Sequence, residues 1–422
     1  MYFIFLLLHN MINYKEFSLD NGLKVIVHED HSLPIAVLNL LYNVGSRDEA
    51  EDKTGFAHLF EHLMFGGSAN VKSFDEPLQK VGGENNAFTS PDITNYYISL
   101  PAANLETAFW LESDRMLSLA FEESVLEVQR KVVIEEFKQR YLNQPYGDVW
   151  LKLRPLAYKK HPYRWPTIGK DISHIETASM KDVRSFFDKF YLPNNATMVV
   201  AGDVYTKQVM KLADKWFGSI PPGERYIRQL PKEPAQMEAR REITEANVPL
   251  DAIYMAFHMP GRLDVDYHAV DLLSDILGRG KTSRLYQNLV KEKNIFNSIN
   301  AYLTGSIDPG LLVISGKIKN GISPDAAEAE VNGIIEELVN NGLNREELQK
   351  VKNQAFTSLA FQDVEILNRA MNLAIFSNLE DPGLVNKEKV KIESVDIDNI
   401  LSAAKKIFNK NNRNILNYNS IK

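Results

Sequence analysis

The stretch His58-Leu59-Phe60-Glu61-His62 constrains this chain more than any other. Side chains at i and i+4 lie one above the other on a helix, so both imidazoles point the same way if the segment is helical. The surrounding letters say that it is. Thr54-Gly55 opens it, Phe65-Gly66-Gly67 closes it, and Phe56, Leu59, Phe60, Leu63 and Met64 put apolar groups on nearly every side. Such a helix is buried, and burial leaves two imidazoles and a carboxylate in need of partners. Paired neutral imidazoles suit Zn²⁺, which takes N, O and S donors in a tetrahedral arrangement. Glu61, three residues after His58, reaches the same side, where a carboxylate can take a proton from water.

A third ligand has to come from elsewhere. The chain has no cysteine, so only His, Asp and Glu are available. Residues 122–142 read as one long helix, with positions 125, 129, 132, 133, 136 and 137 on a mostly apolar face. Glu136 lies on that face, while Glu135 shares a wetter one with Lys131, Lys138 and Gln139. A carboxylate on an apolar stripe needs a compensating cation. Glu136 is therefore the preferred ligand and Glu135 the alternative. The spacing H-x-x-E-H is the reverse of the H-E-x-x-H signature of zinc proteases. The other histidines fit no such set. His28 and His31 flank a turn and read as solvated, and the isolated His258 and His268 read as structural.

A chain of 422 residues exceeds one ordinary core. Its 44% hydrophobic and 24% charged content is that of a soluble globular protein, and a net charge of −7 excludes non-specific nucleic-acid binding. The apolar run at the N-terminus is too short to span a bilayer, and no other segment is long enough. It lacks the basic start and small-residue cleavage site of a signal peptide. Residues 1–10 read as an extension before Met11. The expected location is cytoplasmic, or periplasmic if those residues act in export.

The rest alternates strands and helices. A hairpin is expected over 14–30, turned by Asn21-Gly22. Strands follow at 35–44, after Ala87, at 95–100 and at 196–202, and helices at 74–81, 102–119, 179–191 and 206–217. The aromatic segment 146–175 is expected to cover the active-site face, each ring in a packing role. A polar, proline-rich linker occupies 222–245. Beyond it come strands at 250–258 and 310–316 and helices at 267–277, 284–291, 324–341 and 345–376. The fold class is α+β. Two structurally similar αβ domains, a zinc-bearing one at 11–221 and one without metal at 246–422, are joined by the linker and face each other.

The motif, with Glu136 in Val132-Val133-Ile134-Glu135-Glu136-Phe137, resembles the pitrilysin, insulinase and mitochondrial processing peptidase family of zinc peptidases. Gly82-Gly83-Glu84-Asn85-Asn86-Ala87-Phe88-Thr89 and Phe190-Tyr191-Leu192-Pro193-Asn194-Asn195 carry the same resemblance. It implies a zinc endopeptidase of extended or unstructured polypeptides, with one Zn²⁺ per chain on His58, His62 and Glu136. Glu61 would be the general base toward the attacking water. Substrate would add as a strand beside Asn86 and Ala87. Gln129 stands where many relatives carry another glutamate on the same face, seven residues before the ligand glutamate. Arg284 matches an arginine that helps hold substrate, but its tyrosine partner is replaced by Asn297. That departure implies a heterodimer with a metal-free homologous subunit, with a homodimer as the alternative. A non-catalytic scaffold, or a metal-binding subunit of a larger complex, is the alternative function.

Overall fold

The computed structural model describes residues 11–421, so the expected role of residues 1–10 lies outside the described residues. The chain forms two compact units, each assembled from separated segments. The first comprises the residues up to Phe137, Pro166–Leu230 and Ser358–Glu388. The second comprises Lys138–Trp165, Pro231–Thr357 and the residues from Lys389 on.

In chain order the elements begin with β1 (Lys15–Ser18), β2 (Lys24–Glu29), β3 (Ile35–Tyr42), α1 (Phe56–Leu63), α2 (Asp75–Lys80), β4 (Glu84–Thr89) and β5 (Thr94–Pro101). Next come α3 (Leu105–Leu117), α4 (Glu123–Phe137), α5 (Val149–Ala157), α6 (Ser173–Glu176), α7 (Met180–Phe190), β6 (Ala196–Gly202) and α8 (Thr206–Phe217). Then follow β7 (Arg240–Ala246), β8 (Ala252–His258), α9 (Tyr267–Gly278), β9 (Phe296–Leu303), β10 (Leu311–Ile318) and α10 (Pro324–Asn341). The chain ends with α11 (Arg345–Gln362), α12 (Ile366–Asn378), α13 (Glu388–Ser394), α14 (Ile397–Ile407) and β11 (Arg413–Ser420).

The first unit holds a mixed sheet in the order β1-β2-β6-β3-β5-β4, and the second a sheet in the order β7-β11-β8-β10-β9. The two share one pairing scheme. A parallel pair, β2 with β6 or β7 with β11, is followed by antiparallel neighbours only. Both sheets thus place the unit's last strand, β6 or β11, in parallel beside β2 or β7, and both end on β4 or β9, with β1 an extra edge strand in the first. The α+β class is correct, and the scheme is a repeat that the letters do not show.

Every residue of β6 is buried, so both faces of the first sheet are covered along this strand. Helices α3, α8 and α12 pack against its strands. A fully buried pair, Arg115 with Glu112 (Nε to Oε2, 2.7 Å), stacks its guanidinium over Phe74 and Tyr96. Among the described residues no helix is long and apolar enough to cross a membrane.

Several expectations need correction. The division does not fall at a single linker over 222–245. Helix α12, from the C-terminal half, packs on β3 and β6 of the first unit, and β7 begins inside the supposed linker. The aromatic segment is divided between the units, its residues up to Trp165 in the second and those from Pro166 in the first. Tyr158 and Tyr163 are buried in the second unit's core with α5, β8, β10 and β11, and Tyr146 and Trp150 pack against it. The helix expected over 122–142 is α-helical only to Phe137 and then turns π-helical over Lys138–Leu142. His28 is not a solvated turn residue. It is a buried residue of β2, with Nδ1 2.7 Å from the Asn13 carbonyl and Nε2 2.9 Å from Arg369 Nη1.

Candidate metal centre

The site is built on α1. Its start is fixed by Gly55, whose φ of 90° is the left-handed region that favours glycine. A Cβ there would stand 2.6 Å from the Ile168 carbonyl oxygen. The buried Glu49 carboxylate accepts from Gly55 N–H at 2.9 Å and from Ala57 N–H at 2.8 Å. It thereby satisfies two of the otherwise unpaired donors at the helix start and sets a negative charge at its positive end. The apolar face of α1 buries Phe56, Leu59, Phe60 and Leu63, with Phe60 stacked on Phe186 and Tyr191. That packing leaves His58, Glu61 and His62 half-buried on the other face.

Helix α4 packs against α1 and brings Glu136 to the histidines. Glu136 Oε2 lies 3.5 Å from His62 Nε2 and 3.7 Å from His58 Nε2. The two rings stand nearly perpendicular, 4.8 Å apart. Such separations exceed an N–H···O hydrogen bond of about 2.7–3.2 Å. The His62 separation falls within, and the His58 separation just beyond, the ligand–ligand edge of about 3.3–3.6 Å that a tetrahedral ion with 2.0–2.2 Å bonds imposes. Two imidazoles and one carboxylate, with no thiolate, form a donor set that fits Zn²⁺. The three side chains are 14–23% exposed, which leaves a face open for a fourth ligand. No other cluster of three such groups occurs among the described residues. Glu135, the alternative, is exposed. The π-helical turn begins two residues after Glu136, and such turns recur at functional sites.

Glu61 is oriented from a different element. Thr89, the last residue of β4, donates its hydroxyl to Glu61 Oε2 at 2.6 Å. Burial pushes the Glu61 carboxyl above its ordinary range, against the Thr89 hydrogen bond and nearby His62, which hold it down. Strand β4 ends the sheet, and no strand among the described residues pairs with its outer side. Asn86 is exposed there and caps the Ala87 N–H with its own Oδ1 at 2.8 Å. Gln129 is half-buried on α4, two turns before Glu136.

Arg284 is placed otherwise. Within the second unit its guanidinium makes a two-pronged ion pair with Glu347, both contacts at 2.8 Å, and reaches the Gly342 carbonyl. Asn297 is an exposed residue of β9. Sequence reasoning missed Glu49 and Thr89. An acid shortly before a helix start was a signal for the first; for Thr89 the letters gave none.

A mixed-sheet α+β chain with a His-His-Glu cluster on two helices is the class of protein defined so far. The sequence matches the family described as insulinase (peptidase family M16) over residues 24–169, and the M16 inactive domain over 177–355. The chain is 33% identical to the zinc protease PqqE of Helicobacter pylori, over 79% of this chain and 77% of that protein. It is 24% identical to the uncharacterized zinc protease YmxG of Bacillus subtilis, over 93% and 95% of the two chains. Among solved structures, a protease from Helicobacter pylori superposes with a TM-score of 0.91 at 28% identity, covering 96% of this chain and 99% of that one. An M16 inactive domain from Pseudomonas fluorescens, at 19% identity and a TM-score of 0.87, shares the fold. The chain belongs to the M16 (insulinase) family of peptidases.

Proposed function

We propose that this chain is a zinc-dependent endopeptidase of extended or unstructured polypeptides. The observation that carries the reading is the cluster of His58, His62 and Glu136 at ligand-edge distances, with the Glu61 carboxylate on the same helix face. These three residues would hold one Zn²⁺, and Gln129 would steady a ligand imidazole without adding charge. Once bound, the ion acidifies a water toward neutral pH and polarises the scissile carbonyl. Glu61 accepts the water's proton, and its second oxygen is already occupied by Thr89. It then delivers that proton to the leaving nitrogen as the C–N bond breaks, so one water yields one carboxyl and one amine. The open edge of β4 offers backbone groups around Asn86 and Ala87 for an added substrate strand, a mode that reads main chain more than side chains.

Arg284, engaged by Glu347, has no substrate role in this reading. That engagement, with Asn297 in place of a tyrosine, supports a metal-free homologous subunit as partner, a homodimer being the alternative. The test is metal analysis of the purified protein together with cleavage of an internally quenched peptide, with and without chelator. About one zinc per chain and chelator-sensitive cleavage are expected for a tetrahedral three-ligand site. Zinc without cleavage, alone or with the partner recovered from the native cell, would assign a metal-binding subunit instead. Absence of zinc would remove the reading altogether.

A further inference from the structure

The hydrogen bond from Thr89 to Glu61 joins β4 to α1. Thr89 is the last residue of β4, opposite Thr94 of β5. The turn that follows it is locked to the loop 45–49. Ser46 N–H donates to the Ser90 carbonyl at 3.2 Å and Arg47 N–H to the Pro91 carbonyl at 3.0 Å. The buried Arg47 guanidinium meets Asp92 at 2.9 Å. Gly45 lies so close to Pro91 that a Cβ would fall 2.5 Å from its backbone. The same loop supplies Glu49, which caps the start of α1. One loop therefore sets both the strand that carries the hydroxyl and the helix that carries the carboxylate.

A threonine at a strand end needs no special account, since β-branched residues favour strands. Donation at 2.6 Å to a half-buried carboxylate is a different matter. A glutamate has three side-chain torsions to restrain, whereas the β-branched threonine is stiff at its first. Its hydroxyl has one proton to give, and Oε2 receives it.

Resting on the peptidase reading, we propose that Thr89 is a positioning residue for the base: it fixes Oε2 of Glu61 and leaves Oε1 as the oxygen that carries the proton. Thr89 touches neither substrate nor metal in this role. Its contribution is orientation, for which a misplaced base loses rate rather than binding.

The experiment compares Thr89→Val, which keeps the shape and removes the hydroxyl, with Thr89→Ser, which keeps the hydroxyl. Thr89→Val is expected to lower kcat by about 10- to 100-fold, the usual cost of losing a supporting contact at a metal site. KM, zinc content and melting temperature stay near those of the parent. Thr89→Ser recovers most of the rate. Crystal structures of both zinc-loaded variants supply a readout apart from activity, with the Glu61 carboxylate turned away in Thr89→Val and kept in Thr89→Ser. Full kcat in Thr89→Val, an equal loss in both variants, or an unmoved Glu61 in Thr89→Val would overturn the assignment. If the parent protein cleaves nothing, the peptidase reading falls, and the two crystal structures still decide whether Thr89 fixes Glu61.

Discussion

Glu61 and Glu136 are both half-buried carboxylates within reach of His62, yet the proposed reading gives them opposite tasks. What separates them is what each oxygen faces. Glu136 Oε2 faces both imidazole nitrogens at distances too long for hydrogen bonds. Glu61 Oε2 faces a hydroxyl at hydrogen-bond distance. Glu61→Gln keeps the shape and removes the basicity. It is expected to retain zinc and to lose about 100- to 10,000-fold in kcat, read by metal analysis and the quenched-peptide assay on the same sample. Normal turnover in that variant would take Glu61 out of the reaction. The proximity of His58, His62 and Glu136 was legible in the sequence because helical spacing and one apolar stripe report side-chain direction. That stripe was not wholly right: Val132 is 44% exposed, and the buried side of α4 is Leu126, Val133 and Phe137. Thr89 was not legible because its contact depends on how β4 lies beside α1. Nor was the ion pair of Arg284, whose partner Glu347 lies on another helix.

Among the elements, α1 depends on groups outside itself. With eight residues it is too short to be stable on propensity alone. Its first turn is anchored by Glu49. Glu49→Ala leaves the Gly55 and Ala57 amides without that acceptor, and a destabilisation of about 2–3 kcal/mol is expected. Chemical denaturation of the zinc-free protein measures it, so that metal binding does not mask the effect. Glu49→Gln keeps an acceptor and should lose less. An effect below about 0.5 kcal/mol, the size of an ordinary surface change, would show that α1 does not need this cap. Elements with a clear apolar period were legible: β6 and α8 have the bounds that the letters imply. Strand β7 was hidden by its composition. It is an edge strand, paired only with β11, and its residues alternate between half-buried and exposed, so Arg-Arg-Glu-Ile-Thr-Glu-Ala passed for a linker. The single helix expected over 345–376 is two helices, α11, which runs across the boundary between the units at Thr357, and α12, which lies in the first.

For the whole molecule, the shared pairing scheme could not be read from the letters because strand order is set by long-range partners, not by local period. The same holds for two histidines whose neighbours come from distant segments, the buried His28 in the first unit and the half-buried His258 in the second, which share the sign of their response to acid. Burial lowers the pKa of His28, and Arg369 reinforces this while the Asn13 carbonyl and Asp30 oppose it. Arg369 donates to His28 Nε2, which requires a neutral ring. Burial likewise lowers the pKa of His258, aided by Arg240 and His161 and opposed by the Ala157 carbonyl and Glu233. A folded-state pKa below the unfolded value means that both states are neutral well above about pH 6.5, so the contribution to stability is complete there. As pH falls below that value the unfolded chain takes up protons that the folded chain refuses. Stability is lost until the folded pKa values are passed, then levels off. Each histidine can contribute a slope of at most about 1.4 kcal/mol per pH unit. Melting curves of the zinc-free protein between pH 8 and pH 5 should therefore show a falling midpoint, and His28→Gln with His258→Gln should flatten that fall. The other titrating groups remain in both proteins, so the difference between the two slopes isolates this pair. An unchanged slope in the double variant would mean that the acid sensitivity lies with those other groups.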